Sequence, residues 1–161
     1  MRSSPITIRE AEASDIPFLQ AMHWEAAFAT PTLLAHYGPE GAQQHITDYW
    51  GKWAEHPDPA FVALDATGRK VGAAMLRPNE TEEPVRSWLL FAIAVEANAR
   101  SQGVGRCLIE RVIAFAKTTE AEYVNLLVDP TNPRALALYQ RLGFVERGEK
   151  DQVIEMRLHI R

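Results

Sequence analysis

The sequence predicts a single α/β domain built around a mixed sheet, and three observations carry that prediction. First, the apolar run "WLLFAIAV" (Trp88 to Val95) leads through a glycine-containing turn into a stretch with helical apolar spacing. A second run, "YVNLLV" (Tyr123 to Val128), follows it. Strand, helix and strand in that order make a right-handed β-α-β unit. Second, the last segment, "QVIEMRLHI", alternates: Ile154, Met156, Leu158 and Ile160 face one way, and Val153, Glu155, Arg157 and His159 the other. That is the mark of a half-buried antiparallel strand. Third, 161 residues with 47% hydrophobic composition suffice for one sizeable core, and no repeat or linker divides residues 1–161.

Taken in order, "ITIRE" (Ile6 to Glu10) alternates and reads as a short strand. A helix follows, with Ser14 as its start signal and Pro17 three residues on. Phe18, Leu19, Met22, Ala26 and Ala27 recur at helical spacing until Thr30-Pro31 stops it. A second helix is expected within residues 41–58, where Ile46, Tyr49, Trp50 and Trp53 form one stripe and Pro57 and Pro59 close it. "AFVALD" and "KVGAAML" flank "ATGR", whose glycine and length suit a hairpin. "RPNETEEPVR" is a polar loop. "WLLFAIAV" is apolar at every position, which predicts a central strand covered on both faces. From Val104 onward, Leu108, Val112, Phe115 and Ala116 share one helical face with Ile109 and Ile113 beside it, and the helix ends near "KTTE". "DPTNPRALALYQRLGF" gives a loop, a short helix and a stop at Gly143.

Composition excludes several classes. With 17 basic and 21 acidic side chains the formal charge is -4, the wrong sign for a general nucleic-acid binder, and no basic run offsets it. The single cysteine, Cys107, cannot form an internal disulfide, and nothing near it has metal-ligand spacing, so a reducing compartment and no metal are expected. "MRSSPITIRE" has no apolar core of a leader, and residues 88–95 are too few to span a bilayer, so the expectation is a soluble, cytoplasmic protein without a membrane partner.

Between the apolar run and the helix stands "ARSQGVGRC" (residues 99–107). A glycine-rich turn that opens a helix exposes backbone N–H groups with no partner inside the helix, and the helix dipole adds partial positive charge there. Such a turn cradles an anion, and Arg100 and Arg106 can add charge to it. The alternative is a loop whose glycines only let helix and strand pack closely. A dinucleotide fingerprint needs a third glycine, but the position three after Gly105 is Leu108. A nucleotide P-loop needs Gly-Lys-Ser/Thr, but Arg106-Cys107 follow Gly105.

The strand "ITIREA" followed by Asp15, the block "AVEANARSQGVGRCLIERVIAFA" and the block "NPRALALYQRLGF" together resemble the GNAT superfamily of N-acetyltransferases over nearly the whole chain. The resemblance implies an α/β (α+β) fold with a mixed, mostly antiparallel sheet of about seven strands and about four helices. In it the two central parallel strands splay apart. It also implies acetyl-CoA as co-substrate. The family pattern Arg/Gln-x-x-Gly-x-Gly/Ala falls on Arg100, Gly103 and Gly105, and its pyrophosphate contacts on the backbone of Ser101, Gln102, Gly103, Val104, Gly105 and Arg106. Pantetheine would pair with the strand backbone near Ala94 and Val95. Asn132 matches a position whose side chain contacts the cofactor arm, and Tyr139 one that donates a proton to the leaving thiolate. On its own residues, Asn132 before Pro133 also reads as a helix cap and Tyr139 as a packing residue.

The general base and the acceptor are less defined. Many family members carry a glutamate on the strand beside pantetheine, but "WLLFAIAV" has no acidic residue, leaving Glu96 just past its end as the nearest candidate. His23, Glu25, His45 and Glu83 are others. The first helices and the loop before Trp88 hold Trp24, Phe28, Tyr37, Trp50 and Trp53 with Glu25, Glu80, Glu82 and Glu83. Trp24, Glu25 and Phe28 are therefore expected to line an aromatic, acidic acceptor pocket suited to a cationic amine, although the stripe through Trp50 and Trp53 reads equally as core. A polyamine, an aminoglycoside, an amino acid or a protein amino group remain open acceptors, and a homodimer is compatible with the resemblance. Two functions follow: an acetyl-CoA-dependent amine acetyltransferase acting by direct transfer, or a non-catalytic acyl-CoA-binding module on the same fold.

Overall fold

The structure is a computed structural model that describes residues 5–79, 86–150 and 152–161. Its strands are β1 (Thr7–Glu10), β2 (Ala60–Leu64), β3 (Lys70–Pro78), β4 (Ser87–Val95), β5 (Tyr123–Val128), β6 (Val145–Lys150) and β7 (Val153–His159). Its helices are α1 (Ile16–Phe28), α2 (Pro31–Tyr37), α3 (Pro39–Trp53), α4 (Val104–Lys117) and α5 (Pro133–Arg141). One sheet of seven strands runs in the order β1-β2-β3-β4-β5-β7-β6, and only the β4–β5 pair is parallel. This is the expected mixed, mostly antiparallel sheet.

Each face of the sheet has its own core. On one, Leu108, Ile109 and Val112 of α4 pack on Leu76, Leu90, Leu126 and Met156. On the other, Leu19 and Met22 of α1 and Ile46 and Trp50 of α3 pack on Val62, Ala73 and Met75. The stripe of the second predicted helix is core: Ile46, Trp50 and Trp53 are all buried.

Three local expectations need correction, and one element, β6, was not anticipated. Ser14 does not start α1. A single 3-10 turn, Ala13–Asp15, precedes the helix, and the buried Asp15 carboxylate accepts from Arg9 at 2.7 and 3.0 Å and from the Glu12 N–H at 2.8 Å. Lys70 adds an ion pair at 2.5 Å, so the edge strand, the turn and β3 meet on one anion whose hydrogen bonds to Arg9 hold its carboxyl well below the usual range. Thr30-Pro31 ends α1 but also starts α2, because proline at the first helical position forfeits no bond. The polar segment "VERGEK" forms β6 at the sheet edge, where no apolar alternation is demanded of it. Finally, β4 is central but only half covered.

That half coverage originates in a bulge. Leu76 pairs with Leu90 and Met75 with Ala92, so Phe91 is an extra residue in β4. A bulge increases local twist. The β4–β5 ladder stops at Leu90↔Leu126 although β5 continues to Val128, and Phe91, Ile93, Ala94 and Val95 are only partly buried. The two central strands thus part where the bulge begins.

Candidate active site

The parted strands leave a backbone edge open. Glu96 N–H donates to Val71 C=O at 2.8 Å, so by antiparallel alternation the peptide groups of Ala94 and Ala92 also turn to β3, and those of Val95 and Ile93 turn to the gap. Of the two residues expected to offer backbone there, Val95 does so and Ala94 does not; Ile93 stands in its place. Arg100 folds back so that its Nε donates to Val95 C=O at 3.2 Å.

The gap ends at the N-terminus of α4. Gly103 caps the helix with φ +81°, and Ser101 also has positive φ, 65°, so the turn is bent through the left-handed region twice. Within α4 the first bond is Cys107 N–H to Gly103 C=O at 3.0 Å. The N–H groups of Gly103, Val104, Gly105 and Arg106 have no acceptor among the described residues. The packing explanation fails at Gly105, where a Cβ would meet only Leu138 Cδ2 at 3.6 Å, an ordinary contact. It holds instead for Gly72 of β3, where a Cβ would stand 3.0 Å from Ala94 O and 3.2 Å from Val104 Cγ1. Gly72 lets α4 lie close on the sheet, and Gly105 keeps the surface at the helix start clear.

The basic residues divide differently from expectation. Arg106 is turned along its own helix to Glu110 at 2.8 Å. Arg134, which the sequence reading passes over, reaches from the first turn of α5 to Ser101 Oγ at 3.1 Å and brings a guanidinium to the cradle. Its signal was its place directly after Asn132-Pro133. Gln102, exposed, donates to Asn98 C=O at 3.4 Å. Asn132 caps α5 by accepting from Ala135 N–H at 3.2 Å, and its amide NH2 has no partner among the described residues.

Through Leu138, α5 rests beside Gly105, and the next residue is Tyr139. Its ring is buried against Phe144. No group among the described residues bonds its hydroxyl, yet no buried side-chain oxygen among them lacks a partner. The hydroxyl therefore reaches accessible space, and burial of the ring pushes its pKa up to about 12. Half-buried Cys107, the free thiol of the first turn, has no imidazole partner among the described residues.

Residues 19–144 match the family described as acetyltransferase (GNAT) family. The chain belongs to this GNAT family. An L-methionine sulfoximine/L-methionine sulfone acetyltransferase of Pseudomonas aeruginosa is 24% identical over 147 residues, which is 91% of this chain and 84% of that protein. A Salmonella typhimurium structure with its cofactor acetyl-CoA shares the fold at TM-score 0.75 and 18% identity, covering 98% of this chain and 95% of that one. A spermidine N-acetyltransferase from Vibrio cholerae, solved with CoA and spermine, does so at TM-score 0.72 and 23% identity, covering 96% and 95%.

On the acceptor side, the GNAT sheet departs from the sequence expectations. Glu96 stands at the far end of β4, on the β3 side, ion-paired to Arg69. His23 is buried among Tyr49, Trp50 and Phe91, and its Nδ1 accepts from Trp50 Nε1 at 3.1 Å. Burial, with His45 and Arg77 adding positive charge, lowers its pKa to about 4, so it is neutral at pH 7. Trp24 stacks edge to face on Phe28 at 4.8 Å, Phe28 is 53% exposed and Glu25 is exposed. None of the three lines the cavity that opens beside the gap. That cavity, about 370 Å³, is lined by Arg77, Leu89, Asn125, Leu127 and Glu155 among others. The Tyr37 side chain, Glu80, Glu82 and Glu83 lie outside the described residues.

Proposed function

We propose that the protein is an N-acetyltransferase that moves the acetyl group of acetyl-CoA to a primary amine by direct attack. One observation carries the reading: two backbone surfaces meet at the end of β4, the unpaired N–H groups of Gly103 to Arg106 and the gap-facing peptides of Ile93 and Val95, of which only the Val95 C=O is taken, by Arg100. The first suits a pyrophosphate and the second an extended arm with amides of its own. Bound acetyl-CoA supplies the activated thioester, and the relatives solved with acetyl-CoA or CoA support this choice of ligand. The chain supplies orientation and a proton. Tyr139, protonated throughout the working pH range, donates to the departing sulfur as the neutral amine nitrogen bonds the carbonyl carbon and the C–S bond breaks; the amine's proton leaves through water to bulk solvent, and the Tyr139 phenolate takes a proton back from solvent. Because burial weakens the phenol as an acid, donation is less favourable than from an ordinary tyrosine. Asn132, Arg100 and Arg134 complete the cofactor side, and the chain works as one domain.

Calorimetric titration with acetyl-CoA, with NADH and ATP as controls, tests the cradle. Saturable binding of acetyl-CoA alone is expected, and no binding by folded protein removes the reading. Tyr139→Phe is expected to lower kcat by about 10²-fold or more with little change in acetyl-CoA affinity. A non-catalytic acyl-CoA-binding module would bind acetyl-CoA and release no thiol with any amine.

A further inference from the structure

The cavity beside the gap stands over a register row that crosses four strands. Arg77 pairs with Leu89, Leu89 with Asn125, and Asn125 with Arg157, so all four side chains share one face. The next row brings Leu127 opposite Glu155, nearer the opening of the gap. Charge is unevenly placed across these rows. The Arg77 guanidinium lies 5.4 Å from the Phe91 ring centroid and has no carboxylate partner among the described residues. Arg157 has none either; it stacks on Tyr123 at 4.0 Å and its Nε donates to Asn125 Oδ1 at 2.8 Å. Glu155 is the acidic side chain of the lining, and Arg147 approaches it at 3.3 Å. Among the described residues the local balance is positive.

Arg157 also fixes the direction of the Asn125 amide. A guanidinium only donates, so the oxygen of Asn125 faces Arg157 and its NH2 faces away. That NH2 has no partner among the described residues, and no buried side-chain nitrogen among them goes unsatisfied, so it opens into the cavity it lines. A guanidinium and an oriented NH2 converging on one space are the donor set for a carboxylate. Glu155, one row nearer the gap, is the complement for an ammonium group.

We infer that the acceptor is an α-amino acid or a closely related amine with a carboxylate beside the amino group. Arg77 and Asn125 hold the carboxylate, Glu155 faces the amino group, and Arg157 is a positioning residue acting through Asn125. The inference deepens the acetyltransferase reading and rests on it for the chemistry, but not for the binding.

The test separates the two. The full chain is titrated calorimetrically, without acetyl-CoA, with L-methionine, L-leucine and L-glutamine, with the primary amide of each, and with spermidine. The acids are expected to bind at least about tenfold tighter than their amides, since charged hydrogen bonds are the stronger ones. Arg77→Met should bring each acid and its amide to within about twofold, with Arg77→Lys between, because lysine keeps the charge without the fork. Equal affinity for acids and amides, tighter binding of spermidine, or no binding of any acid at about 10 mM, above the usual KM range, overturns the inference. Thiol release is then measured with the same compounds and acetyl-CoA. Acid-selective binding with no thiol released keeps the carboxylate site and removes the acetyltransferase reading; thiol release with spermidine and not with the acids does the reverse.

Discussion

His23 illustrates how a single contact decides what a residue can do. From the sequence it was a candidate base, yet Trp50 Nε1–H occupies its Nδ1, so the proton of the neutral ring sits on Nε2 and no free lone pair remains. Protonation breaks the Trp50 bond, and burial with the nearby charges lowers the pKa to about 4. An unfolded histidine titrates near 6.5, so between these values the unfolded chain binds the extra proton and stability falls as the pH drops from about 6.5 to about 4. The loss is on the order of 2 kcal/mol once partial exposure is allowed for. Denaturant midpoints followed by tryptophan fluorescence at pH 7, 5.5 and 4.5 should show it. His23→Gln, whose amide oxygen can still accept from Trp50, should flatten that stretch while leaving the pH dependence of kcat/KM above pH 6 unchanged. Positions of this scale were legible where motif spacing placed them, as with Gly103 and Gly105 at the start of α4, whereas Tyr139 was singled out by the family resemblance and its spacing alone reads as packing. Glu96 and Arg77 were not, because their roles depend on Arg69 and on the row through Asn125 and Arg157, contacts between strands far apart in the chain.

Among the elements, α4 is fixed by two glycines with different duties, and substitution by alanine separates them. At Gly72 a Cβ meets backbone oxygen at 3.0 Å and two side chains of α4 at 3.2 and 3.3 Å, so Gly72→Ala must push the helix from the sheet and should cost about 1–3 kcal/mol in denaturant unfolding. At Gly105 the added methyl finds open space and helps the helix, so Gly105→Ala should leave the melting temperature unchanged or slightly raised. The family pattern also admits alanine at this position, so acetyl-CoA affinity by calorimetry should stay within about threefold; a larger loss would mean that the cradle needs a bare backbone at Gly105. Gly105→Glu, adding bulk and charge, should abolish binding. Most elements were readable because apolar periodicity is a local property, as in α4 and β7. The exceptions are physical: α2 begins at a proline that also reads as a stop, β6 is a polar edge strand with no buried face to enforce alternation, and the Phe91 bulge exists only relative to β3.

At the scale of the whole molecule, the parting of β4 from β5 creates the site and also removes the ladder that would hold the two halves of the sheet together. Beyond Leu90↔Leu126 the halves are linked by side chains. One such link is Arg134 to Ser101. Another crosses 97 residues of sequence: the Asp129 carboxylate, just past β5, accepts from Thr32 N–H at the start of α2 at 3.0 Å, as well as from Thr131 N–H and Oγ1 at 2.9 and 2.6 Å. Asp129 is 1% exposed, and these donors outweigh its burial and hold its pKa at about 2. Its contribution is therefore present above the ordinary carboxylate range and is lost as the pH falls through about 2. Asp129→Asn keeps the shape, and its oxygen can still serve Thr131, but the NH2 then faces the Thr32 N–H, donor against donor. The expected cost is about 2 kcal/mol in unfolding free energy, together with faster hydrogen exchange at the Thr32 amide. The cradle at α4 and its tie to Arg134 do not depend on Asp129, so acetyl-CoA affinity should hold while the KM of the amine acceptor rises several-fold. Equal losses on both substrates would mean that Asp129 supports the sheet as a whole and does not specifically fasten α2 across the gap.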